Sequence, residues 1–171
     1  MYRRGDLKMY TIRKVSKEGA AVIHHLGTAV YHTTYTAILS RAQIDFMLHK
    51  NYTPEAIQQA MAEGQDFYII CQQKMQPLGF IALQKKNNDI LRIEKLYLLV
   101  DSQGLGLGKK LIDFAVDQAK EHDFSIVELN VNRGNKAYHF YLKQGFKVIS
   151  EVDIPYYGYI LDDYVMQRLV H

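Results

Sequence analysis

A chain of 171 residues with 48% hydrophobic content is long enough for one domain with a sizeable core, and its formal charge of +3 is too mild to point to nucleic acid. No apolar run approaches the roughly 18 residues that span a bilayer, and the basic start Met1-Tyr2-Arg3-Arg4-Gly5-Asp6-Leu7-Lys8 lacks the apolar stretch of a secretory signal. The single cysteine, Cys71, excludes an internal disulfide; in its strand-like run it reads as a buried thiol, which suits a reducing cytoplasm.

Strand-like sequence starts only after Met9, so residues 9–171 are expected to form one domain behind an N-terminal extension of residues 1–8. Tyr10 to Val15 reads as a first strand, and Glu18 to Thr34 as a helix with Ala21, Leu26, Ala29 and Val30 among its apolar positions. A second helix runs from Arg41 to Lys50. Thr53-Pro54-Glu55-Ala56 is a further helix start, with a capping hydroxyl followed by proline at the first helical position. Asp66 to Gln72 and Leu78 to Gln84 read as a hairpin around a turn containing Pro77, and Asn87-Asn88-Asp89 turns the chain into a long strand, Ile90 to Val100. A glycine-rich turn then opens an amphipathic helix carrying Leu107, Leu111, Ala115 and Ala119, widened by Ile112 and Val116. The strand Ile126 to Val131, a short helix, and strands near Lys147 to Ile154 and Gly158 to Leu169 complete the order β-α-α-β-β-β-α-β-α-β-β, an α/β sandwich.

The glycine-rich turn carries the chemistry. Gly104, Gly106 and Gly108 let the backbone turn tightly where a helix begins. Unpaired N–H groups and the positive end of the helix dipole there suit a phosphate or pyrophosphate. A Walker loop fails, because Lys110 stands where the magnesium-binding hydroxyl belongs and Gln103 occupies the position of its first glycine. A dinucleotide fingerprint can start at Gly104 and Gly106, with Lys109 in place of the third glycine; Glu128 lies near the position of a ribose-binding acid, so this reading stays open. A third pattern, Q/R-x-x-G-x-G/A, is met by Gln103, Gly106 and Gly108.

That third pattern resembles the acetyl-CoA loop of the GCN5-related N-acetyltransferase (GNAT) superfamily. Downstream, Asn135-Lys136-Ala137-Tyr138-His139-Phe140-Tyr141-Leu142-Lys143-Gln144-Gly145-Phe146 resembles the second signature of that superfamily, an Asn ahead of A-x-x-F-Y-x-x-x-G-F. Asn135 stands two residues before Ala137, where the family often has three. The resemblance covers about residues 66 to 150 and implies a mixed, mostly antiparallel sheet flanked by helices. It further implies acetyl-CoA as co-substrate, held by Leu96, Tyr97 and Leu98 on a splayed strand, by Gln103, Gly104, Leu105, Gly106, Leu107, Gly108 and Lys109 in the loop, and by Asn135.

Acyl transfer to an amine needs an acceptor for the amine's proton, since an alkylammonium has a pKa of about 10.4 in water, and a donor for the departing thiolate. Glu94 resembles the strand glutamate of polyamine acetyltransferases and would take the proton through water; alternation with Leu96 and Leu98 puts it on their face, although a solvent-facing carboxylate reads the same way. Tyr141, in register with Ala137 and Gly145, is the candidate acid, because a phenol stays protonated at neutral pH; taken alone it could equally be a packed aromatic. Asn130 and Asn132 read either as contacts or as polar positions at a strand end.

Ala29 to Tyr35, followed by Ala42 to Leu48, resembles a bacterial subgroup related to polyamine N-acetyltransferases, which makes Tyr31 and Tyr35 candidate substrate contacts beside their alternative role in core packing. Glu151, Asp153, Asp162 and Asp163 stand against Arg168 alone in residues 150–171, an acidic rim that would favour a polycation such as spermidine. A protein or peptide amine is the competing acceptor, and a CoA-binding regulator without turnover is the competing class. The seven histidines show no metal-ligand spacing, so no metal is expected; neither is nucleic acid nor membrane, while a homodimer through the C-terminal strands is.

Overall fold

In the computed structural model, which describes residues 10–72 and 76–171, the chain runs β1 (Thr11–Lys14), α1 (Ala20–Tyr35), α2 (Arg41–Asn51), α3 (Pro54–Ala62), β2 (Asp66–Gln72), β3 (Gln76–Lys85), β4 (Ile90–Leu98), α4 (Leu107–Glu121), β5 (Ile126–Asn132), α5 (Ala137–Lys143), β6 (Lys147–Tyr156) and β7 (Tyr159–Leu169). The expected order had two helices before β2, and there are three. Ser40 Oγ accepts from the Gln43 N–H and Thr53 Oγ1 from the Ala56 N–H, each at 3.1 Å. Two separate caps, the second followed by Pro54, divide the stretch into two short helices. Residues 1–8, the expected extension, lie outside the described residues.

The strands form one sheet in the order β1-β2-β3-β4-β5-β7-β6. Every neighbouring pair is antiparallel except β4 with β5, and α4 is the crossover that a parallel pair requires. Apolar alternation supplies two cores. Leu111, Ile112 and Ala115 of α4 meet Ile81, Ile93, Leu129 and Met166 on one face. On the other, Ile23, Ile44 and Ile57 from the three N-terminal helices meet Phe67, Ile69, Cys71 and Phe80. Cys71 is fully buried, as its surroundings in the sequence suggest. Pro77 lies in β3 opposite Cys71 rather than in the turn, beside a shift in register that tolerates its missing N–H.

A second irregularity matters more. Ala82 pairs with Lys95 while Leu83 pairs with Ile93, so Glu94 is the extra residue of a bulge in β4. The bulge changes the parity of the strand: Leu91 and Ile93 face α4 before it, Leu96 and Leu98 after it. Among the described residues, no helix is long and apolar enough to cross a membrane.

Candidate functional site

Pairing between β4 and β5 ends at Ile93 opposite Leu129, although β4 continues to Leu98 alongside β3 and β5 to Asn132 alongside β7. The two strands part there. Main-chain groups of residues 94–98 that face β5 are left without a ladder partner, so they are free to bond an extended amide-bearing chain. The wedge opens into a cavity of about 820 Å³.

The glycine loop closes one end of it. Gly104 and Gly106 adopt φ of +78° and +76°, in the left-handed region, and Gly106 is the residue from which α4 springs. Lys110 is the first residue to bond back to Gly106, at 3.2 Å, so the N–H groups of Leu107, Gly108 and Lys109 precede the intrahelical ladder. A Cβ built on Gly104 or Gly106 meets nothing within 4 Å. Bare backbone therefore faces open space, which fits a pyrophosphate. Lys109 Nζ pairs with Asp113 at 2.6 Å on the helix surface, and Gln103 Nε2 approaches the Leu98 carbonyl at 3.5 Å.

Tyr141, on α5, packs its ring near Phe146 and lines the cavity. Burial, with the nearby Tyr35 hydroxyl adding to it, pushes the phenol well above its usual range, so it stays protonated at every physiological pH. Tyr35 Oη lies 3.2 Å from Tyr97 Oη, and burial raises both hydroxyls. Asn135 Oδ1 accepts from the Ala137 N–H at 2.9 Å, which anchors the start of α5 beside this tyrosine pair.

Glu94 departs from the expected alternation with Leu96 and Leu98, because the bulge interrupts it. Its carboxylate accepts from Arg92 Nε at 3.2 Å. The same guanidinium donates from Nη1 to Glu128 at 2.5 Å and from Nη2 to Asn130 Oδ1 at 3.0 Å. Glu128 is only 1% exposed and also accepts from Lys86 and Gln167. Burial raises its pKa, but the three donors outweigh it and hold the carboxyl below its usual range. Glu128 does not border the cavity at the glycine loop, so it is not placed to hold a ribose there, which removes the dinucleotide alternative. Next to Glu94, Lys95 bonds Gln65 Oε1 at 2.8 Å, and burial lowers its pKa to about 8 against the opposing pull of Glu94.

The cavity thus gathers Glu94, Leu96, Tyr97, Leu98, Gln103, Gly104, Gly106, Leu107, Gly108, Lys109, Asn135, Tyr141 and Tyr35. Two expected residues stand apart. Leu105, between two left-handed glycines, turns its side chain outward and borders a smaller cavity of about 460 Å³. Tyr31 belongs to the core, its ring 4.4 Å from that of Tyr35. The acidic rim is also divided: Asp153 pairs with Arg133 at 2.6 Å and Asp162 accepts from Asn132, while Asp163 turns to Asn130 Nδ2 at 3.3 Å. Sequence reasoning missed Arg92, because its partners Glu128 and Asn130 lie 36 and 38 residues downstream on the neighbouring strand, with α4 between. No group of three potential metal ligands occurs among the described residues.

Residues 35–154 match the family model of the acetyltransferase (GNAT) domain, and the chain belongs to that family. A protein of Methanocaldococcus jannaschii named as an uncharacterized N-acetyltransferase is 27% identical over 148 residues, 82% of this chain and 62% of the relative. The peptidyl-lysine N-acetyltransferase YjaB of Escherichia coli is 33% identical over 109 residues, 62% of this chain and 61% of the relative. The chain spans about three-fifths of the length of these curated relatives. The crystal structure of PaiA N-acetyltransferase from Thermoplasma acidophilum, in complex with coenzyme A, superposes with a TM-score of 0.80 at 24% identity, over 94% of this chain and 99% of that one. That likeness concerns the fold.

Proposed function

We propose that the chain is an acetyl-CoA-dependent N-acetyltransferase acting on a primary amine, with a small polyamine such as spermidine as acceptor. The observation that carries the reading is the meeting of the glycine loop, the open edge of β4, Glu94 and Tyr141 in one cavity. The coenzyme A complex of the Thermoplasma PaiA protein supports the choice of co-substrate. Acetyl-CoA supplies an electrophilic thioester carbonyl and a good leaving group. The loop N–H groups hold its pyrophosphate, and the unpaired groups of residues 94–98 hold its pantetheine arm. Glu94, oriented by Arg92, attracts the ammonium and receives its proton through water as nitrogen attacks carbon. Tyr141 donates its proton to sulfur as the carbon–sulfur bond breaks.

The YjaB relative favours a peptide lysine as a second acceptor class. A regulator without turnover has no use for a protonated phenol and a clamped carboxylate at the same cavity. The exposed edge strand β6, with Ile149 52% exposed, supports pairing of two copies as a homodimer. Thiol release from acetyl-CoA, measured across polyamines, peptide lysines and peptide N-termini, tests the function. Release with polyamines well above release with peptides is the expected result. Release with peptides alone would overturn the acceptor, and no release with any amine would overturn the enzyme.

A further inference from the structure

Arg92 divides its guanidinium unequally between two carboxylates. Nη1 donates to Glu128 Oε1 at 2.5 Å and Nη2 to Asn130 Oδ1 at 3.0 Å, both on β5, while Nε reaches Glu94 Oε1 at 3.2 Å. Close charge-assisted bonds lie at about 2.7–2.9 Å. The bond to Glu128 is at the short end and the bond to Glu94 is single and long, so the buried acid takes most of the cation. Arg92 stands opposite Glu128 in the parallel pair, one rung before the last pair that β4 and β5 form. Glu128 is held from its other sides as well: Lys86 Nζ donates to Oε1 at 2.8 Å, and Gln167 Nε2, from the facing position on β7, donates to Oε2 at 2.6 Å. With both oxygens occupied and 1% exposure, it anchors the guanidinium on the β5 side.

Neither Glu128 nor Arg92 borders the cavity, whereas Glu94 does, as the one carboxylate among its lining residues. An ion pair that served the sheet alone would need only Arg92 and Glu128; the Nε bond ties that pair to the group placed to receive the acceptor's proton. Without the charge of Glu128, the guanidinium would keep its own charge and lose the partner of Nη1. Among the described residues, Glu94 is the one other carboxylate it pairs with, and a guanidinium free to turn takes a carboxylate by two parallel bonds. A carboxylate so taken is a poorer base and draws an ammonium less. Resting on the function proposed above, we propose that Glu128 is a positioning residue for the transfer: it draws Arg92 toward β5, limits the guanidinium to one bond with Glu94, and leaves that carboxylate both aimed and available to the acceptor's ammonium. Arg92 orients Glu94, and Glu128 keeps that contact from becoming a closed ion pair.

The test is a mutant cycle read against pH. Glu128→Gln removes the charge with little change of shape; Glu128→Asp keeps the charge but draws it back by one methylene, and it carries the comparison if the neutral variant does not fold. Each is made in the parent and in Glu94→Gln. Thiol release from acetyl-CoA gives kcat/KM from neutral to high pH with spermidine and with a lysine peptide, both alkylammonium acceptors at neutral pH. Melting temperatures and coenzyme A affinity are recorded alongside. In the parent, Glu128→Gln should lower kcat/KM about tenfold at neutral pH and less at high pH, where solvent deprotonates the amine; Glu128→Asp should lose less. In the Glu94→Gln background the same substitutions should change the rate by less than about twofold, because Arg92 has no base left to capture. Coenzyme A affinity should stay parental throughout. A parental rate in Glu128→Gln, a loss that persists undiminished in Glu94→Gln, or a loss independent of pH each overturns the assignment while leaving the proposed acetyltransferase in place. Turnover of neither acceptor by the wild type overturns that function and this assignment together.

Discussion

Gly106→Val separates the two duties of the loop. Gly106 has φ of +76°, and a Cβ there meets nothing within 4 Å in the empty protein. The folded state therefore suffers no clash, only the left-handed backbone, which costs about 1–2 kcal/mol for a residue with a side chain. A domain of this size should melt about 2–8 °C lower. Binding is another matter, because the added isopropyl group would stand before the N–H groups of Leu107, Gly108 and Lys109. Charge-assisted bonds are worth about 1.5–3 kcal/mol net each, so losing one or two weakens coenzyme A binding by about tenfold to 10⁴-fold. Titration calorimetry on the folded variant reads this directly. Parental affinity in a folded Gly106→Val protein would refute the assignment of the loop.

Tyr141→Phe keeps the ring contact with Phe146; melting should be nearly unchanged, and turnover measured where chemistry limits should fall at least about tenfold, toward the roughly 10²–10⁴-fold typical of a general acid. Glu94→Gln should lower the rate with polyamine most at neutral pH and recover partly at high pH, where solvent deprotonates the amine, with coenzyme A affinity barely altered; a parental pH–rate profile would dismiss the role of Glu94. Glu128→Ala leaves the Arg92 guanidinium, 18% exposed, with only Glu94 and Asn130 as partners and should destabilise by about 1.5–3 kcal/mol in urea denaturation. Because the folded pKa of Glu128 is depressed, its contribution is present above the ordinary carboxylate pKa and is lost as pH falls through the folded value. Acid unfolding of Glu128→Gln should accordingly show a shallower pH dependence than the parent.

What could be read along the chain was whatever local chemistry enforces. The limits of β2 agree to the residue with Asp66 and Gln72, because an apolar run is bounded by polar residues on both sides. The loop and the Ala137–Phe146 register fell into place because glycine positions and helix spacing are local properties. Glu94 was found by position but not by environment. A bulge is invisible to alternation, since Ile93-Glu94-Lys95-Leu96 reads as a regular strand until Ala82 and Leu83 are seen to pair around the extra residue. The Arg92 clamp was equally hidden, for it joins residues 36 and 38 positions apart through β4 lying beside β5. Asp163 was visible only as one member of an acidic segment; its bond to Asn130 exists because β7 lies beside β5.

The parting of β4 from β5 has a consequence for how such a protein can change over generations. A ligand gripped through peptide groups is indifferent to the side chains on those residues, provided the strands still diverge after Ile93 and Leu129. Random substitution along residues 94–98 then leaves that grip largely intact, while replacements at Tyr35 or Asn130 redraw other parts of the cavity wall one side chain at a time. Such a layout lets the choice of recipient drift while the donor stays the same, and new recipients can be explored without first losing hold of what is to be transferred.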